Sequence, residues 1–261
     1  MNSQVWDYYK KTRGLHDILL LTEGKLTWEE AKKRAPCLIK GWFELSLLST
    51  QDRIEFTKDF WLKTLPFIPQ AHSNIASFFD RLEDIGVFLF QEKIGNPYLA
   101  EIVYSLKEGS VFFRGKIPCT HEDIHFFQQS FTNLLPRDYF AFLRIHNGFA
   151  KTSDTGMLSL QDIPLAKESM QAVIYEGEGA VFCDGKEIDP AALIPFYESF
   201  GRHSYQCFYT EWYPTSEMGN VYFSSQDFTI SRYTLPNLHE TMAFTTFLQW
   251  LVFYLEGIEC I

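Results

Sequence analysis

The sequence has no paired-cysteine pattern, no long apolar run and, in its second half, little positive charge. Its five cysteines (Cys37, Cys119, Cys183, Cys207 and Cys260) are scattered and odd in number, and no two stand as C-x-x-C. That excludes a disulfide scaffold and the usual zinc-ribbon spacing, and reads as reduced thiols in a cytoplasmic protein. A membrane-spanning helix needs about 18 or more consecutive apolar residues. The longest candidate, "FLQWLVFYLEGI", is cut by Gln249 and Glu256. The N-terminal "MNSQVWDYYKKTRGLHDILLL" puts charge first and then a short apolar patch broken by Asp17, which is not the plan of a secretory signal.

Signatures of chemistry are also missing. No G-x-S-x-G occurs, so a nucleophile elbow has no support. "GAVFCDGKE" imitates a phosphate loop. It has five residues between Gly179 and Gly185 where four are required, and Glu187 where Ser or Thr would bind magnesium. A hairpin turning at Asp184-Gly185 accounts for it better. No pair of carboxylates stands out as an acid/base couple, and no cofactor motif is present.

What the chain does have is aromatic bulk and an uneven charge. Hydrophobic residues make up 46% and aromatics 17%, with 25 Phe and 13 Tyr, enough for a sizeable core. The formal net charge of −10 is not spread evenly. Residues 1–118 hold 16 basic and 15 acidic side chains, a net of +1, whereas residues 119–261 hold 7 and 18, a net of −11. An acidic field of that size repels nucleic-acid phosphates and anionic membranes and attracts basic partners. The plain alternative is an acidic surface kept for solubility.

The N-terminal part, 1–117, reads as mainly helical. "LTWEEAKKRA" offers Thr27 and Glu30 as a capping box, and "STQDRIEFTKDFWLKTLPFIP" repeats apolar residues at helical spacing before Pro66 and Pro69. "HSNIASFFDRLEDIGVFLF" gives a helix and then a strand after Gly86, and "YLAEIVYSL-KEGS-VFFRGK" a β-hairpin. Pro118 and Pro136 bracket the start of a second region, 118–261. It opens with helices near 121–133 and 136–146 and continues with short strand-like runs from "MLSL" to "FTISRY". A helix from about Met242 to Glu256 closes it. The fold class expected is α+β: an antiparallel sheet flanked by helices, preceded by the mainly helical region and its hairpin.

One segment imitates an enzyme. "HEDIH" fits H-E-x-x-H, in which His121 and His125 would hold zinc and Glu122 would act as general base. Thr120 and Asp123, however, form a cap that makes these residues the first turn of a helix. A third ligand is also missing at a usable distance: the next His is His146 and the next Glu is Glu168. A zinc-dependent hydrolase is therefore the alternative reading, and the main expectation is no catalytic residue and no metal. His146-Asn147-Gly148 reads as a helix C-cap.

The segment "FTNLLPRDYFAFLRIHNGFA" carries more. Pro136 suits a first helical position, Asp138 the positive end of the helix dipole, and Tyr139, Phe142 and Leu143 a core-facing stripe. The order L-P-x-x-Y-x-x-F-L-x-x-x-N-G, then "MLSLQDI", "LIPFYESFG", "YQCFYT", "GNVYFSS" and "FTTFLQWL", resembles the SUKH superfamily, which includes the Smi/Knr proteins, over about residues 119–256. Members often carry Gly-Asp before the central strand, where this chain reads "GRHSYQC". The resemblance does not extend to the N-terminal 118 residues.

The resemblance implies a non-catalytic α+β domain that binds proteins. Bacterial members are similar to immunity proteins that neutralise toxin domains, and fungal relatives act as regulatory hubs. The expected partner is thus a protein, a basic toxin domain or a signalling protein, with no nucleic acid, membrane or cofactor. The expected contact region is "FYTEWYPTSEMGN", where Glu211, Trp212, Tyr213 and Glu217 set aromatics beside acids as binding hot spots do. The competing reading, in which Trp212 fills the core and the acids are only solvated, stays open at this level.

Overall fold

Strands that read as continuous apolar runs must be covered on both faces, and "IGVFLF" and "EIVYSL" are such runs. The computed structural model describes residues 1, 3–107, 110–130, 135–177, 179–183, 185–230 and 242–256. It divides into two compact units, Met1–Pro118 with Ile145–Ser153, and Cys119–Arg144 with Asp154–Ile261.

The first unit begins with helix α1 (Ser3–Asp7), continued by a wider helical turn over Tyr8–Thr12, and strand β1 (Asp17–Leu20). Helices α2 (Trp28–Arg34), α3 (Lys40–Ser46), α4 (Thr50–Thr64) and α5 (Pro69–Asp80) follow. Strands β2 (Leu82–Gln91), β3 (Leu99–Leu106), β4 (Phe112–Lys116) and β5 (Phe149–Lys151) complete it. The strands pair antiparallel in the order β1-β2-β3-β4-β5. The expected hairpin is therefore the middle of a larger sheet, and β2 starts at Leu82 rather than after Gly86. Thr27 and Glu30 form the expected capping box at α2.

Side chains alternate across a strand, and here the alternation sorts two cores. Phe88, Phe90, Val103 and Phe112 pack with Val5, Tyr9 and Leu20. Tyr9 stacks on Phe88 with ring centroids 4.7 Å apart. On this face lies buried Glu101, which accepts from the Tyr9 hydroxyl at 2.6 Å and from Arg13 Nη1 at 3.1 Å, with Arg114 Nη1 at 3.7 Å. The opposite face carries Tyr104, Phe113 and Phe149, packed against Trp61 of α4 and Phe78 of α5.

The second unit starts with α6 (His121–Ser130) and α7 (Arg137–Leu143). Strand β6 (Gly156–Met157), helix α8 (Ile163–Glu176) and the hairpin β7 (Val181–Cys183) and β8 (Lys186–Ile188) follow. Then come β9 (Leu193–Glu198), β10 (Tyr205–Tyr209), β11 (Asn220–Ser224), β12 (Thr229–Ile230) and α9 (Phe247–Glu256). The strand order is β6-β9-β10-β11-β12-β7-β8. Every pairing is antiparallel except β12 with β7, which is parallel. One face of β10 packs Phe208 against Phe196, Tyr139 of α7 and Phe247 of α9. The other buries Cys207 with Met170 and Ile174 of α8. A register shift between Gln206 and Cys207 lets neighbouring Phe196 and Tyr197 both reach Trp250, at 4.8 and 5.3 Å.

The two units together are the α+β architecture expected from the sequence, with differences in detail. The expected run of short strands misses α8, whose buried Ile163, Met170 and Ile174 recur at helical spacing. Pro136 is the N-cap of α7 rather than its first residue, and the helix ends at Leu143, before the expected Asn-Gly cap. Asp138 serves a different helix from the one expected: its Oδ2 accepts from the Leu248 N–H at 2.9 Å, capping the start of α9. Phe244 joins no helix stripe but bridges to Asn220. Phe131 and the end of the run "FTISRY" lie outside the described residues.

Candidate functional site

The contact loop expected from the sequence joins β10 to β11. Two backbone bonds close it on itself: the Trp212 N–H donates to the Tyr209 carbonyl at 3.0 Å, and the Gly219 N–H to the Trp212 carbonyl at 2.9 Å. Gly219 is required by packing. A Cβ there would lie 2.5 Å from Trp212 Cε3, so only the bare backbone admits the indole. Trp212 is half-buried and leans on the core cluster shared by α8 and the sheet.

The four expected contact residues divide in two. Tyr213 is 54% exposed, and Glu211 is exposed while accepting from the Tyr209 hydroxyl at 3.1 Å. Glu217 is half-buried and accepts from the Arg137 backbone N–H at 3.3 Å, with the Arg137 guanidinium at 3.9 Å. Trp212 and Glu217 thus hold the loop, and Tyr213 and Glu211 face outward. A bonded, preformed loop costs less entropy on binding than a slack one.

The "HEDIH" segment is the first turn of α6. Thr120 N and Oγ1 donate to Asp123 Oδ2 at 2.8 and 2.7 Å, and the Asp123 N–H donates back to Thr120 Oγ1 at 3.1 Å. His121 and His125 are exposed, and His125 Nε2 lies 3.0 Å from Gln129 Nε2. Among the described residues no group of three or more His, Cys, Asp and Glu is placed to hold a metal ion. Burial pushes the Cys119 thiol up to about 12 and the Cys207 thiol well above its ordinary value, which keeps both protonated and unreactive at neutral pH. Burial also raises the Asp138 carboxyl, although two backbone N–H groups donate to it.

His146, expected as part of a helix cap, has another role. It belongs to the first unit and is fully enclosed there. Its Nδ1 lies 3.2 Å from the Lys116 carbonyl and its Nε2 2.7 Å from the Tyr104 hydroxyl, which is 3.2 Å from the Trp61 indole nitrogen. A carbonyl can only accept, so Nδ1 carries the proton and Nε2 accepts from Tyr104, whose oxygen accepts in turn from Trp61. Burial pushes the imidazole down to about 3, against the raising effect of the Lys116 carbonyl. The ring lies over Gly115, where any Cβ would collide with it. The sequence gives no local sign of this, since Tyr104 and His146 are 42 positions apart.

Among the described residues no helix is long and apolar enough to cross a membrane. No curated protein matches the chain. Residues 118–243, which include the contact loop, the capped α6 and Asp138, match the SMI1 / KNR4 family (SUKH-1), so that stretch of the chain carries a SUKH-1 domain.

Proposed function

We propose that the SUKH-1 domain is a recognition module that performs no chemistry of its own. It binds a basic protein through the β10–β11 loop, as an immunity protein binds a toxin domain or a regulatory adaptor binds its client. The family supports a module of that kind. The observation that carries the choice of partner is the net charge of −11 over residues 119–261, beside a net of +1 over 1–118. A field of one sign steers an oppositely charged partner and suppresses wrong ones, with most of its effect on the association rate. Tyr213 and Glu211 supply the exposed ring and carboxylate at which such a partner would dock, on a loop fixed by Trp212 and Glu217.

The test is capture by the immobilised full chain at low and moderate salt, repeated with Tyr213→Ala and with Glu211→Lys. The captured protein should be basic and should elute steeply as salt rises. Tyr213→Ala should weaken retention at least tenfold, which is about 1.4 kcal/mol, and Glu211→Lys should slow association. An acidic partner, salt-independent retention, or a partner indifferent to both substitutions would overturn the reading.

A further inference from the structure

The first unit contains a half-open pocket of about 240 Å³ whose wall is almost entirely apolar. Trp42, Leu45, Phe56, Phe60 and Trp61 come to it from α3 and α4, and Tyr104 and His146 line it as well. Phe56 and Phe60, one helical turn apart, are 64% and 45% exposed, so the apolar surface continues outward from the cavity. An apolar cavity of about 150 Å³ stays dry and can hold benzene. This one has room for a larger ring system or a substituted ring.

Two features define what would enter. The wall offers little polar surface, and its polar side chains other than Trp42 are engaged with one another or with backbone: Thr57 Oγ1 donates to the Arg53 carbonyl at 2.7 Å, and the Trp61–Tyr104–His146 chain ends on Lys116. A polar ligand would lose its water and gain little in return. The charges of the two helices are also neutralised along their own lengths. Lys40 pairs with Glu44 at 3.7 Å, Lys58 with Glu55 at 2.8 Å, and Lys63 with Asp59 at 3.6 Å. Neither helix carries a net charge that would favour an ion of one sign.

We infer that this cavity is a binding site for a small, uncharged aromatic molecule. Three aromatic walls (Trp42, Trp61 and Tyr104) suit edge and face contacts with a ring.

Gly41 provides the test. It is an exposed residue of α3 at the mouth of the pocket, and a Cβ built there meets nothing within 4 Å. Gly41→Leu should obstruct that mouth and favour the helix as well. The probe is bromobenzene, titrated into the full chain while tryptophan fluorescence is followed, since a heavy atom beside Trp42 and Trp61 quenches them. Wild-type protein should show saturable quenching with a sub-millimolar midpoint and a raised Tm. Gly41→Leu should keep or raise the Tm of the free protein and weaken binding at least tenfold. Benzoate and benzylammonium should bind at least tenfold more weakly than bromobenzene, a test that needs no substitution. Quenching linear in bromobenzene, undiminished binding to Gly41→Leu, or equal binding of the charged rings would each overturn the inference. So would concentration-dependent self-association that Gly41→Leu abolishes, which would make the occupant a second copy of the chain.

Discussion

The two units solve the same packing problem with different surfaces. Both lay helices on a largely antiparallel sheet and fill the interface with aromatic rings. The first unit is nearly neutral, keeps charge inside as the Glu101–Arg13–Arg114 cluster, and holds a half-open apolar pocket. The second carries its excess acid on the outside and offers a bonded loop with an exposed tyrosine. Burying a charge requires a partner at each remaining site, so the first unit has little freedom at Glu101. Surface carboxylates need only water, so the second unit can accumulate them without loss of fold. The proposed sites differ accordingly, an apolar pocket in the first unit and a surface loop in the second.

The sharpest way to break this contrast is Glu101→Ala. It removes the acceptor of the Tyr9 hydroxyl and the buried carboxylate of Arg13. Breaking a buried pair costs about 3–5 kcal/mol, and urea denaturation should show that loss, whereas Glu187→Ala on the exposed hairpin of the second unit should leave stability nearly unchanged. A similar loss from both would erase the distinction.

Acid should act on the first unit through His146. In the unfolded chain the imidazole takes up a proton below its ordinary value of 6.5, whereas in the folded protein it stays neutral down to about 3. Its contribution is fully present above 6.5 and is lost as pH falls toward 3. Between pH 6.5 and 5 the loss should be about 2 kcal/mol. His146→Gln should flatten that part of the profile, and an unchanged slope would show that other groups set it.

Gly219→Ala should displace the Trp212 ring and cost the second unit about 1–3 kcal/mol, as overpacking does. Partner retention should fall with it, and a variant with unchanged stability would show that the loop gives way more easily than its bonds suggest. The smallest effect should be a gain. Phe200 and Gly201 follow one another with φ of +50° and +66° in the turn between β9 and β10, and the Phe200 ring is 61% exposed. Asn tolerates that conformation and Phe does not, so Phe200→Asn should raise stability by about 1 kcal/mol in thermal unfolding.

What could be read from the sequence was local. The capping boxes Thr27–Glu30 and Thr120–Asp123 are each made by residues three apart, and the strands flanking Asp184-Gly185 pair as the turn residues demand. Such contacts form between near neighbours whatever the rest of the chain does. Helix α8 has the same kind of local signal in Ile163, Met170 and Ile174, set between strand-like runs on either side. The ordered landmarks from "LPRDYF" to "FTTFLQWL" also sufficed to suggest the family.

Tertiary structure decided the rest. Asp138 caps a helix 110 positions away, Tyr9 reaches Glu101 across 92, and His146 meets Tyr104 across 42. Asp138 and His146 each had an ordinary local reading, as a dipole partner and as part of a cap, and nothing local singled out Tyr9. Their actual partners were set when the chain closed and buried polar groups had to find donors and acceptors among whatever folding brought near. The cavity has the same origin. The sequence by itself determined the helices, turns and charge imbalance, because those depend on neighbours and composition. Only the packed chain determined which rings enclose empty space and which glutamates look outward, because both are properties of distances between residues far apart in sequence.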